Sequence, residues 1–168
     1  FHIDDRLPRW PDTTAAGILR FGDLFGTASC AFGGTLSGAE RGMDLMGCIV
    51  MATVTAVGGG TTRDFCIGHE NGMTKRAFWM AEPEYIYLSW ITSALTFFCW
   101  NPLAEKFRLS ADDPWNFWWD AVGQGSFCCV GAMNGIRAGL DPPLAALCGM
   151  MSGAFGGLIR DVISRHPV

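Results

Sequence analysis

Residues 23–64, laid without a gap over residues 120–161, agree at eleven of 42 positions. The matches pair Asp23 with Asp120, Gly26 with Gly123, Ser29 with Ser126, Gly34 with Gly131, Gly38 with Gly135 and Gly42 with Gly139. Asp44 then pairs with Asp141, Gly59 with Gly156, Gly60 with Gly157, Arg63 with Arg160 and Asp64 with Asp161, all at an offset of 97. Glycine richness inflates such agreement, but a glycine step followed two residues later by Arg-Asp in both copies is hard to obtain by chance. Self-similarity at a fixed offset marks a duplicated supersecondary unit. Whatever the first copy folds into, the second must fold into as well.

The apolar runs say what that unit is. Apolar residues make up 49% of the chain and charged residues only 17%, against about a quarter in soluble domains. Residues 1–20 are a polar, proline-marked arm. Residues 21–39 then hold one charge, Asp23, and are long enough to cross a bilayer. After a polar hinge at 40–44, residues 45–60 form a second apolar run that ends in GGG. As a helix it would cover roughly 24 Å, short of a hydrocarbon core of about 30 Å. A third run, 85–100, is flanked by aromatic residues suited to the lipid boundary. A fourth begins at the tryptophan cluster of Trp115, Trp118 and Trp119, and a fifth, opened by Pro142 and Pro143, ends in GG.

The expected architecture is an all-α membrane protein made of two repeats of transmembrane helices, the second and fifth helices broken at glycines. Its parts are an arm at 1–20, a first three-helix repeat at 21–100, a linker at 101–114 and a second, incomplete repeat at 115–168. Three spans separate the start of one copy from the start of the next, an odd number, so the repeats are expected to be inverted. Lys and Arg are too evenly spread to set an orientation, and both a bacterial inner membrane and an organelle membrane fit the sequence.

Chemistry is expected where the copies coincide. Gly58, Gly59 and Gly60 in one copy, and Gly156 and Gly157 in the other, lack a Cβ and permit angles that interrupt a helix. Freed backbone is tolerated in a bilayer only against protein or a watery cavity, and interrupted helices at matching repeat positions point to a transport site. Carbonyls released there would coordinate a dehydrated cation, with Arg63 and Arg160 setting the electrostatic barrier and Asp64 and Asp161 as their partners. Plain packing is the competing reading: small residues such as Gly26, Gly33, Gly34, Gly38, Gly131 and Gly135 let membrane helices approach closely.

Other classes fit poorly. A net charge of −4 offers no basic stripe for nucleic acid. Seven cysteines without a CxxC pair read as small buried hydrophobes, and His2, His69 and His166 are too scattered to bind a metal. No cofactor is expected. The stretch AVGGGTTRD lacks the spacing of a phosphate-binding loop and follows an apolar span rather than a strand, so an enzyme is not expected.

The stretch DLFGTASCAFGGTLSGAERGMDLMGCIVMATVTAVGGGTTRD resembles the repeat of the bacterial glycine transporter domain family, related to trimeric intracellular cation channels. The stretch WDAVGQGSFCCVGAMNGIRAGLDPPLAALCGMMSGAFGGLIRD is similar to that family's second repeat. The resemblance covers roughly residues 22–166. It implies two inverted three-helix repeats plus a seventh helix, a pore beside the glycine kinks in each protomer, and assembly into trimers in the lipid bilayer. It also implies passage of potassium or of glycine. Here the chain carries five spans and the family's sixth and seventh are missing. A second expectation is therefore a non-transporting structural subunit of a larger membrane complex.

Overall fold

In a computed structural model, residues 14–70, 73–74, 77–107 and 114–164 are described. Five long helices dominate: α1 (Ala15–Ala39), α2 (Leu45–Ile67), α4 (Glu84–Phe107), α5 (Pro114–Arg137) and α6 (Pro142–Ile163). Between α2 and α4 lie a hairpin of two-residue strands, β1 (His69–Glu70) with β2 (Met73–Thr74), and a single helical turn, α3 (Phe78–Ala81). The long helices have 22 to 25 residues, about 33 Å or more at 1.5 Å per residue. α2 and α6 are both long and apolar enough to cross a membrane, and only 39% and 33% of their most apolar stretches are buried. Apolar side chains are thus left facing outward, as contact with lipid requires.

The duplication is visible at the level of single hydrogen bonds. α1 is followed by a left-handed glycine, Gly42 at φ 71°, and α5 by Gly139 at φ 76°. The Gly42 N–H donates to Ala39 O at 2.9 Å and the Met43 N–H to Gly38 O at 3.1 Å. Ninety-seven residues on, the Gly139 N–H donates to Ile136 O at 3.0 Å and the Leu140 N–H to Gly135 O at 3.1 Å. Only glycine takes that backbone conformation without cost, so each copy turns its hairpin at the same residue. The following helices start at equivalent aspartates. Asp44 caps α2 by accepting the Gly47 N–H at 2.8 Å, whereas Asp141, at the same place before α6, makes no side-chain cap bond and is followed by the two prolines of the first turn.

Glycines set how closely the helices meet. A Cβ at Gly34 would strike Ala52 Cα and Met51 O of α2, both at 2.9 Å. One at Gly131 would lie 2.8 Å from Cys148 O of α6, the equivalent contact in the second copy. Between copies, a Cβ at Gly26 would fall 2.8 Å from Gly123 O, and one at Gly123 would fall 2.9 Å from Gly26 Cα. α2 and α6 cross in the same reciprocal way: Gly59 presses on the backbone of Ser152, and Gly156 on that of Thr55. Four residues back along α2 is four residues forward along α6, so the two helices run antiparallel where they touch.

The helices expected to be broken are continuous. α2 runs through Gly58, Gly59 and Gly60 to Ile67, and α6 runs through Gly156 and Gly157 to Ile163. The second span is therefore 23 residues long, not sixteen. Glycine permits an interruption without imposing one, and in an apolar setting an unbroken ladder leaves no backbone group unsatisfied. Threonine hydroxyls bond back at the step, Thr61 donating to Val57 O at 2.7 Å and Thr62 to Gly58 O at 2.9 Å. Two boundaries also move. α1 starts at Ala15 rather than near residue 21, its first turn capped by Thr14 Oγ1, which accepts the Gly17 N–H at 3.2 Å. α4 continues through residue 107, into the expected linker. Most of the expected polar arm, residues 1–13, lies outside the described residues.

Candidate functional site

A partly open cavity of about 170 Å³ lies at one end of the bundle. Its walls come from the start of α1 (Asp23), the C-terminal half of α2 (Gly60, Arg63), α3 and the start of α4 (Phe78, Glu82, Tyr85), the end of α5 (Asn134, Arg137) and Ser152 of α6. Because α2 and α6 cross at glycines, Arg63 of one copy reaches Ser152 of the other: its Nη1 donates to Ser152 Oγ at 3.1 Å.

Arg63 and Asp64 are buried, 5% and 6% exposed. The guanidinium grips its neighbour twice, Nε to Asp64 Oδ1 at 2.9 Å and Nη2 to the same oxygen at 2.6 Å. The second carboxylate oxygen of Asp64 accepts the Phe78 N–H at 2.9 Å, which ties α3 to α2. Phe78 turns its ring toward the Arg63 guanidinium, 5.9 Å from the centroid, and against Gly60, where any Cβ would collide with it. Trp79 adds a bond from Nε1 to Thr61 Oγ1 at 3.0 Å.

A second charged group closes the other wall. Arg20 is 2% exposed and donates to Glu82 at 2.6 Å, to Glu84 at 3.1 Å and to the Tyr85 hydroxyl. Tyr85 in turn donates to the carboxylate of Asp23. α1 and the α3–α4 connection are thus joined by a relay from Arg20 through Tyr85 to Asp23. So many ionisable side chains inside a bundle are tolerated only because they are paired and hydrogen-bonded.

Of the residues singled out from sequence, Gly60 and Arg63 line the cavity and Asp64 stands directly behind Arg63. Gly59 and Gly156 form the helix crossing, with Gly58 in ordinary contact with Ile159 and Gly156. Gly157, Arg160 and Asp161 lie away from the cavity. Arg160 Nε donates to Asp161 Oδ1 at 2.8 Å, but this pair is half-buried, 27% and 24% exposed. Val57 and Gly58 keep their carbonyls inside the helix, so they are not released toward a solute as expected. Sequence reading missed Arg20, Phe78, Glu82, Tyr85, Asn134, Arg137 and Ser152. The available signal was Asp23, an isolated acid in an otherwise apolar run, which requires a partner.

A bundle of membrane-length helices, packed through glycines and holding charged side chains between them, is a helical membrane protein built from a duplicated unit. The chain belongs to the glycine transporter family, which it matches over residues 20–101 and 117–168. A membrane protein of Vibrio cholerae is 34% identical over 149 residues, covering 86% of this chain and 56% of that protein. The inner membrane protein YadS of Escherichia coli strain K12 is 34% identical over 148 residues, covering 86% of this chain and 65% of YadS. The chain therefore spans less than two thirds of the length of these relatives. Among solved structures, the trimeric intracellular cation channel orthologue of Rhodobacter sphaeroides is 29% identical with a TM-score of 0.71, over 89% of this chain and 72% of that one. A prokaryotic channel of the same kind, crystallised in 0.5 M KCl, is 26% identical with a TM-score of 0.70, over 89% and 71% of the two chains.

Proposed function

We propose that this chain forms the solute path of a membrane channel or transporter for a small monovalent cation, potassium, or for glycine. The observation that carries the reading is the cavity between the two copies, lined by Arg63, Arg137, Asp23 and Glu82. Ionisable groups inside a membrane bundle are costly, and those that face a cavity point to a solute pathway. Family membership and the likeness to cation channels support the same reading. The reciprocal contacts Gly59 with Ser152 and Thr55 with Gly156, antiparallel and related by the repeat offset, support an inverted relation between the copies. Assembly in threes, as in the trimeric relatives, belongs to this proposal.

Within it, Arg63 sets the local potential of the path and Asp64 holds the guanidinium in place, while Gly59 and Gly156 let α2 and α6 close around the cavity. The paired Arg160 and Asp161 mark the matching position in the second copy. Flux of potassium and of glycine into proteoliposomes holding the full-length protein tests this. Native protein passes one of the two, and Arg63→Ala combined with Asp64→Ala, which leaves no buried charge stranded, changes that flux severalfold while the protein stays folded. Gly59→Leu would drive a side chain into the α6 backbone and reports on the bundle rather than the path. Passage of neither solute by folded native protein would favour the structural subunit instead.

A further inference from the structure

The charges around the cavity do not cancel evenly. Arg63 is committed to Asp64, and Arg20 to Glu82 and Glu84. The Asp23 carboxylate accepts from Tyr85. Among the described residues Arg137 has no carboxylate partner. Its Nη1 reaches Asn134 Oδ1 only at 3.4 Å, and its Nε is buried without any acceptor. A buried donor left unmade costs free energy, so a guanidinium in this state beside open space is poised for an anionic group.

The duplication shows that packing does not demand an arginine here. Residue 137 corresponds to residue 40 in the first copy, which is Glu40, exposed at the end of α1. The hairpin geometry is the same in both copies, as the bonds at Gly42 and Gly139 show. The fold accepts either charge at this position. Only the arginine copy faces the cavity, together with the Asn134 amide and the Ser152 hydroxyl. The acids, Asp23 and Glu82, come from α1 and the α3–α4 connection, each with one carboxylate oxygen engaged, by Tyr85 and by Arg20, whereas Arg137 on α5 has no carboxylate partner among the described residues.

We infer that Arg137 is the specificity-determining anchor for the carboxylate of a small zwitterionic solute, whose ammonium end is met by the Asp23 and Glu82 wall. This rests on the reading that the cavity receives the solute, and it distinguishes between the two solutes left open above. A bare cation gains nothing from Arg137 and is repelled by it. An amino acid with no side chain of its own satisfies both poles, and a planar guanidinium suits a carboxylate because two parallel N–H donors match its two oxygens.

The test is equilibrium binding of radiolabelled glycine to the purified full-length protein in detergent, with acetate and ethylamine as competitors. Native protein, Arg137→Gln and Arg137→Lys are compared at matched melting temperature. Expected are displacement of glycine by acetate and a loss of affinity of about tenfold or more in Arg137→Gln, as for a hydrogen bond to a charged group. Arg137→Lys, which keeps charge but loses the fork, falls between. Native affinity in folded Arg137→Gln, absence of competition by acetate, or absence of glycine binding to native protein overturns the inference. Should Arg137→Gln fail to fold, Arg137→Lys and acetate competition decide. Flux measured in parallel separates the two readings. Potassium passage without glycine binding removes the anchor and leaves the path, whereas Arg137-dependent binding without any flux removes the path and leaves the anchor.

Discussion

Arg63 and Arg160 stand at the same position of the two copies but in different surroundings. The first pair is sealed under Phe78 and shared with Ser152; the second is half-exposed, with Arg160 bound to Asp161 alone. Removing one member of a buried pair leaves the other charge stranded, so Arg63→Ala is expected to cost about 3–5 kcal/mol of stability. Arg160→Ala is expected to cost about 1 kcal/mol or less, as for exposed pairs. Thermal unfolding in detergent, followed by circular dichroism, measures both, and Arg63→Ala with Asp64→Ala together should cost less than the sum of the single changes. Equal losses at the two arginines would mean that the pairs are equally buried in the assembled protein. Both Arg-Asp pairs were legible in the sequence because duplication prints them twice. Arg20 and Tyr85 were not, since one reads as a surface charge in a polar arm and the other as a boundary aromatic. Only the folded chain brings them to Asp23.

At the scale of helices, apolar run length located the five long elements, while Gly42 with Gly139 and Asp44 with Asp141 read only as marks of duplication until the structure showed them at the turns and starts of both hairpins. What the pattern left undecided was the role of the glycine steps. Glycine signals both an interrupted backbone and a close approach, and the partner that decides between them is far away in sequence: Ser152 for Gly59, Thr55 for Gly156. The continuous helices make these steps packing contacts, and the residues within each step should then behave differently. At Gly156 a Cβ would collide with the backbone of α2, whereas at Gly157 the nearest atom is the flexible Arg160 Nη2 at 4.0 Å. Gly156→Ala is expected to cost about 1–3 kcal/mol through overpacking. Gly157→Ala should be neutral or stabilising by up to about 1 kcal/mol, because alanine favours helix over glycine. If both changes abolished flux with no change in melting temperature, the steps would be serving as breaks.

For the whole molecule, the consequence of duplication is topological. In the proposed inverted arrangement, which the antiparallel contact between α2 and α6 supports, the Gly42 turn and the Gly139 turn stand on opposite sides of the bilayer. The contacts alone permit a local reading, in which two antiparallel helices touch without each hairpin crossing the membrane. The turns are accessible places to decide between the two readings: Glu40 and Ala138 are exposed, each next to the end of its helix. In oriented vesicles, Glu40→Cys should react with a membrane-impermeant maleimide from one side only and Ala138→Cys from the other, each scored against the native cysteines as background. Labelling of both positions from the same side would break the link between duplication and inversion. The cavity would then belong to one face of the membrane rather than to a path across it.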